Sequence, residues 1–249
     1  ITRLAAPKTS RAFVFANAGN YEIYLQRFNI FSQIQAFSTF DDEYLDDEKV
    51  KELTKQYLKN KIEITDNLSE LKKADIYILC VSDNAISAIS SKLNFPTALV
   101  LHTSGGTSLN ELKSNSKKGV MYFLQTFSKD RNIDFSTIPA CLEAENEEDL
   151  KLLSELASGI SKKIYVINSD QRQHLHVAAV FVNNFVNYMY LQSANFCAEN
   201  NINFNLLQPL IEETATRLKT HHPSEVFTGP AVRKDVATIE KHLAQLQNN

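Results

Sequence analysis

Glycine is scarce, six in 249, against a typical ~7%. A chain this poor in glycine places each one where the backbone has a reason for it. Cysteine is rarer still, three in the chain. Cys80, Cys141 and Cys197 are odd in number and widely spaced, which argues against a disulfide framework or a zinc cluster, so they read as buried thiols and no metal site is expected. Long apolar runs are missing too. No stretch approaches the roughly 18 residues that span a bilayer, and the opening ITRLAAPKTSR lacks the apolar core of a signal peptide, so the expectation is a cytoplasmic protein with no membrane partner. Nor is there an excess of positive charge: 26 Lys and Arg face 29 Asp and Glu, a formal net charge of -3, which argues against a nucleic-acid partner. What remains, with 43% hydrophobic and 22% charged residues, is an ordinary globular composition with length for two domains.

Between residues 12 and 166 short apolar runs alternate with helical patterns: AFVFA, SQIQAFS, KIEIT, ADIYILCV, TALVLHTS, GVMYFL and KKIYVIN. This alternation predicts an α/β Rossmann-type domain, a mostly parallel sheet covered by helices. IYILCV, apolar throughout, reads as a central strand buried on both faces. DDEYLDDEKVKELTKQYLKN, 41 to 60, reads as a charged surface helix with acids at its start. After Asn168 the strand signal stops. A long apolar-periodic stretch from Gln171 to about Glu199 predicts one buried helix, and further helices follow, the last opening at Asp235 as N-cap. The expected division is a Rossmann-like dinucleotide-binding-type domain over 1–167 and an all-α dimerisation and substrate domain over 168–249.

Four stretches carry candidate chemistry. In FVFANAGNYEIYLQ an apolar run enters a turn and then a helical pattern, as a dinucleotide-binding unit begins, but Asn17, Gly19 and Glu22 stand at the G-x-G-x-x-G places. Asn17 tolerates the left-handed region, Gly19 and Asn20 keep the close approach open, and Glu22 sets a carboxylate where a pyrophosphate wants N–H groups. Two readings stand: an impaired cofactor turn, or the same fold without cofactor. Asp41, about 20 residues on, suits a ribose hydroxyl and favours NAD over NADP. HTSGGTSL, 102 to 109, follows an apolar strand, so Ser104, Gly105 and their neighbours sit at a carboxyl edge and offer hydroxyls and N–H donors; the alternative is a plain glycine turn. Gln125 and Thr126 end the next strand and face the same cleft or form an ordinary polar turn. On the long helix, His176, Val180, Asn183 and Asn187 share one face by the helical period.

HTSGG, GVMYFLQTFSKDRNIDFSTIPACLEA, HLHVAAVFVNNFVN and TGPAVRKDVATIEKHLAQL, in this order, resemble the bacterial Rossmann-like proteins with a C-terminal domain of unknown function 2520. That family is similar to pyrroline-5-carboxylate reductases and 6-phosphogluconate dehydrogenase-like enzymes. The resemblance implies an NADP-linked oxidoreductase. The departures are the Asn17-Ala18-Gly19-Asn20 turn in place of G-x-G-N, Ser38-Thr39 in place of a Ser-Arg pair, and Val180 where the hydroxyacid dehydrogenases of the wider superfamily place lysine. They weaken the NADP inference and disfavour hydroxyacid chemistry. The resulting expectation is an NAD(P)-linked enzyme acting on a small imine or carbonyl compound between its domains, the cofactor being NAD, NADP or absent. Nicotinamide rests near Val81, Ser82 and His102; Ser104, Gln125, Thr126 and Asn183 hold substrate; His102 or His176 donates the proton; Arg233, in the stiff turn TGPAVRKD, grips an anionic group or forms a structural ion pair. A homodimer through the helical domain is expected, because VAAVFVNNFVNYMYL is apolar on several faces. The rival is a nucleotide-free binding or scaffolding dimer.

Overall fold

A computed structural model describes residues 11–16, 33–38, 62–65, 71, 73–127 and 133–247. The acidic helix expected over 41–60 lies outside the described residues, as do Asn17, Gly19, Asn20, Glu22 and Asp41.

The apolar runs become strands as their spacing predicts. β1 (Arg11–Ala16), β2 (Gln33–Ser38), β3 (Ile62–Thr65), β4 (Ile76–Cys80), β5 (Leu99–His102), β6 (Lys117–Phe123), β7 (Pro139–Ala144) and β8 (Lys163–Val166) form one sheet in the order β3-β2-β1-β4-β5-β6-β7-β8. All neighbours are parallel except β6 and β7, whose antiparallel register sets Val120 opposite Glu143 and Tyr122 opposite Cys141. The order reverses between β1 and β4, the topological switch point of a doubly wound fold. The fold is thus Rossmann-type α/β, followed by an all-helical region.

β4 shows why a fully apolar strand belongs at the centre. Successive side chains point to opposite faces, so Ile76, Ile78 and Cys80 enter one core while Tyr77, Leu79 and Val81 enter the other. Each large side chain removed from water contributes about 1.5–3 kcal/mol, and both sets are almost wholly buried. α1 (Asp83–Ser90) covers one face through Ile86, and α2 (Glu147–Ser158) covers the other through Leu153, Leu156 and Ala157. α2 starts where Asn146 accepts the Asp149 N–H at 2.9 Å, the N-cap bond that satisfies an otherwise unpartnered helix donor.

The chain divides into two compact units, Ile1–Ala179 and Val180–Asn249. The division falls inside the helical run expected as one helix. α3 (Ser169–Val180) leads into a π-helical turn (Phe181–Phe185) and then α4 (Val186–Glu199). The wider turn breaks the 3.6-residue count that linked His176 to Asn183 and Asn187 in the sequence. Burial of this run is also corrected: Phe181, Val182, Phe185, Tyr188, Met189 and Leu191 are exposed in the single chain, Val182 to 74%.

The second unit continues with α5 (Gln208–Arg217), the short α6 (Pro223–Val226) and α7 (Val236–Gln247). Asp235 caps α7 as expected, accepting the Thr238 N–H at 3.1 Å and its hydroxyl at 2.8 Å. The turn before it opens at Gly229 with φ of 122°, a conformation that favours glycine. No described helix is long and apolar enough to cross a membrane.

Candidate active site at the carboxyl edge of the sheet

Because β4, β5 and β6 run parallel, the segments that leave their carboxyl ends share one edge. From β4 come buried Val81 and exposed Ser82 and Asp83, the last opening α1. From β5 comes the HTSGGTS loop, and from the end of β6 comes Tyr122. α3 brings a fourth side to this edge. Ser169, Arg172, Gln173 and His176 follow at steps of three, one and three, so they lie on one helix face, and each contacts the loop or the strand beside it.

The loop is held by that face. Arg172, 0% exposed, bonds the Glu143 carboxylate of β7, the Thr107 carbonyl at 2.6 Å and the Ser169 hydroxyl at 3.3 Å. Its Nε has no hydrogen-bond partner among the described residues. Ser169 accepts the Leu109 N–H at 2.8 Å and donates to Glu143, while Gln173 donates to the Gly106 carbonyl at 3.0 Å. A buried guanidinium is tolerated because a carboxylate and oxygen acceptors replace the water it loses.

Within the loop the N–H groups of Ser104, Gly106 and Thr107 are already taken. The Ser104 hydroxyl accepts the N–H groups of Gly106 at 3.1 Å and Thr107 at 3.0 Å and lies 2.9 Å from the Thr107 hydroxyl. One of the N–H donors expected of the glycine pair is thus corrected: that of Gly106 closes the turn together with that of Thr107, and Ser104 is engaged in it. Thr103 donates to the Leu79 carbonyl at 3.4 Å.

His102 is corrected as a proton donor. It is 0% exposed, and burial first, then the Arg172 charge, push its pKa down to about 3, against a small opposing effect of the Ser108 backbone. Its Nδ1 accepts the Ser104 N–H at 3.2 Å. The neutral ring therefore carries its proton on Nε2, an atom with no partner at full hydrogen-bond geometry among the described residues. His102 shapes the loop from below, through Ser104.

His176 is exposed and sits at the centre of the edge. Its Nδ1 lies 3.3 Å from Tyr122 Oη, the two rings meeting edge to face at 6.0 Å. Gly105 lies beneath both: a Cβ there would come within 2.7 Å of His176 Nδ1 and of Tyr122 Cζ. A Cβ on Gly106 would lie 3.4 Å from the Asp83 carboxylate and 3.8 Å from His176. Burial raises the Tyr122 phenol above its ordinary pKa; Cys141 and Asp83 add to this and Arg172 opposes it. The arrangement is a protonated phenol against an imidazole, able to deliver a proton to a bound group.

The remaining expected residues are scattered. Gln125 and Thr126 are exposed after β6, Gln125 accepting the Thr126 N–H at 2.9 Å. Asn183 lies in the second unit, where it accepts from Asn187 at 3.2 Å. Arg233 is in that unit too, exposed, with no ion pair among the described residues. No described cluster of His, Cys, Asp and Glu could hold a metal ion. Local sequence pattern did not point to Tyr122, Glu143, Arg172, Gln173 or Asp83. The one available signal was the shared helix face of Arg172 and His176, four residues apart.

The domain of unknown function 2520 matches residues 138–249. Over the whole chain, a crystal structure of a "putative NADP oxidoreductase" from Bacteroides fragilis is similar at 32% identity, covering 97% of this chain and 93% of that one with a TM-score of 0.81. The chain belongs to this family of Rossmann-like proteins with a C-terminal domain of unknown function 2520. A protein from Thermotoga maritima is similar in fold, with 20% identity, 96% and 90% coverage and a TM-score of 0.72. So is 1-pyrroline-5-carboxylate reductase from Streptococcus pyogenes, with 11% identity, 96% and 95% coverage and a TM-score of 0.61. No curated protein matches the chain in sequence.

Proposed function

We propose that the protein is an NAD(P)-dependent oxidoreductase acting on a small imine or carbonyl compound. The observation that carries this reading is the Tyr122–His176 pair over Gly105, set at the same sheet edge as the Val81–Asp83 segment that follows β4. In this fold a dinucleotide lies across the switch point between β1 and β4. The described residues fit one: buried Val81 offers an apolar wall, and Ser82, at the start of α1, makes no side-chain bond to the helix. The name of the Bacteroides fragilis relative, an NADP oxidoreductase, supports the same reading.

When bound, the nicotinamide supplies or accepts the hydride. The chain's own part is to hold the reactants and move the proton. Val81 and Ser82 border the ring; His102, through the Ser104 N–H, and Arg172, through the Thr107 carbonyl, hold the loop in shape; His176 is the source of the proton. Asn17, Gly19, Asn20 and Asp41 are assigned to cofactor binding.

A thermal-shift series with NAD, NADH, NADP and NADPH tests the proposal. A dinucleotide at 100 times its dissociation constant stabilises the folded state by about 2.7 kcal/mol. A chain whose melting temperature responds to none of the four is instead the nucleotide-free binding or scaffolding dimer that the Asn17 and Glu22 replacements favour.

A further inference from the structure

We propose that Tyr122 is the catalytic proton donor of this site, and that His176 recharges it through Nδ1. This rests on the oxidoreductase reading above and deepens it. Three features of the structure converge on the pair. Among the described residues, the hydrogen-bonding atom set against the phenol is His176 Nδ1, at 3.3 Å. The loop beneath carries no side chain at Gly105, where a Cβ would strike both rings at 2.7 Å, so the glycine is what lets tyrosine and histidine meet. Two polar side chains of the loop are engaged elsewhere: Ser104 closes its turn, and His102 is buried under it.

A bound reduced nicotinamide would supply the hydride to the carbon of the C=N or C=O bond, whose electron pair would go to the heteroatom. The heteroatom takes the proton from Tyr122 Oη, breaking the O–H bond and leaving a phenolate. The phenolate takes the Nδ1 proton of the His176 imidazolium, which ends neutral. With Nδ1–H donating to Oη, the phenol's own proton is free to point at substrate. The charged and titratable groups around the phenol are the Asp83 carboxylate from α1, the Arg172 guanidinium and His176 from α3, and the Cys141 thiol from β7. Arg172, held by Glu143, stabilises the transient phenolate.

The test compares wild type with Tyr122→Phe, His176→Asn and Gly105→Ala, using 2-methyl-1-pyrroline as the imine probe with NADPH and NADH. Imidazole nitrogen NMR on the same proteins reads the pair without turnover. Tyr122→Phe is expected to lower kcat about 100-fold with dinucleotide affinity unchanged, and to shift the His176 Nδ1 resonance. His176→Asn is expected to lower kcat with dinucleotide affinity unchanged, and Gly105→Ala to separate the rings and reproduce the Tyr122→Phe loss. A His176 nitrogen spectrum identical in wild type and Tyr122→Phe overturns the pair, whatever the turnover. A Tyr122→Phe kcat within twofold of wild type overturns the donor role. If no dinucleotide binds wild type, the oxidoreductase reading fails and proton delivery falls with it, an outcome told apart from the others by the binding measurement alone.

Discussion

Arg172 and Glu143 form a buried ion pair across 29 residues of sequence, the guanidinium wholly enclosed and the carboxylate 14% exposed. Removing one partner leaves the other charge without compensation, a loss of about 3–5 kcal/mol. Arg172→Met is therefore expected to lower stability by that amount in urea unfolding. The double change Arg172→Met with Glu143→Leu is expected to recover much of it, because two apolar groups need no counter-charge. A single variant as stable as wild type contradicts the burial of the pair.

His102 makes stability sensitive to acid. Its folded pKa is pushed down to about 3, whereas the unfolded imidazole titrates near ~6.5. Below that value the unfolded chain binds a proton that the folded chain refuses, so stability falls as pH drops from about 6.5 toward 3, by at most about 1.4 kcal/mol per pH unit. His102→Asn is expected to flatten this slope while keeping an acceptor for the Ser104 N–H. Unfolding curves at pH 6.5, 5.5 and 4.5 for both proteins check it; equal slopes would count against the buried neutral ring.

NADP is expected to bind more weakly than NAD. Asp41 and Asp42 follow the second apolar run without an arginine nearby, and carboxylates there repel a 2′-phosphate. Titration calorimetry with NADH and NADPH decides it. Tighter NADPH binding would align the chain with the name of its Bacteroides fragilis relative and reject the role given to Asp41.

A homodimer through the helical region is expected from the apolar side chains left open in the single chain, including Phe181, Phe185, Met189, Leu191 and Leu210. Exposed large apolar side chains in such number favour an association site. Light scattering at micromolar concentration is expected to give twice the chain's 28.2 kDa, and Phe185→Glu to shift the mass toward one chain. A monomer in the unaltered protein refutes the dimer.

Local pattern alone carried much of this protein. Short apolar runs gave the strands, the apolar IYILCV gave the central one, Asp235 gave the cap of the last helix, and the glycine pair marked a loop at the carboxyl edge. Each of these depends on residues a few positions apart, whose relation is set by strand and helix geometry. Pairing across the fold was not legible in the same way. Tyr122 meets His176 over 54 residues and Arg172 meets the Thr107 carbonyl over 65, and before folding neither partner is distinguished from other tyrosines or carbonyls. Burial decided the rest. The sequence supplied His102 as an imidazole that could titrate near neutrality and Ser104 as a free hydroxyl. Tertiary packing removed water from the first, because desolvation belongs to the assembled sheet edge and not to the chain, whereas the second was taken locally, by the N–H groups of residues two and three positions on.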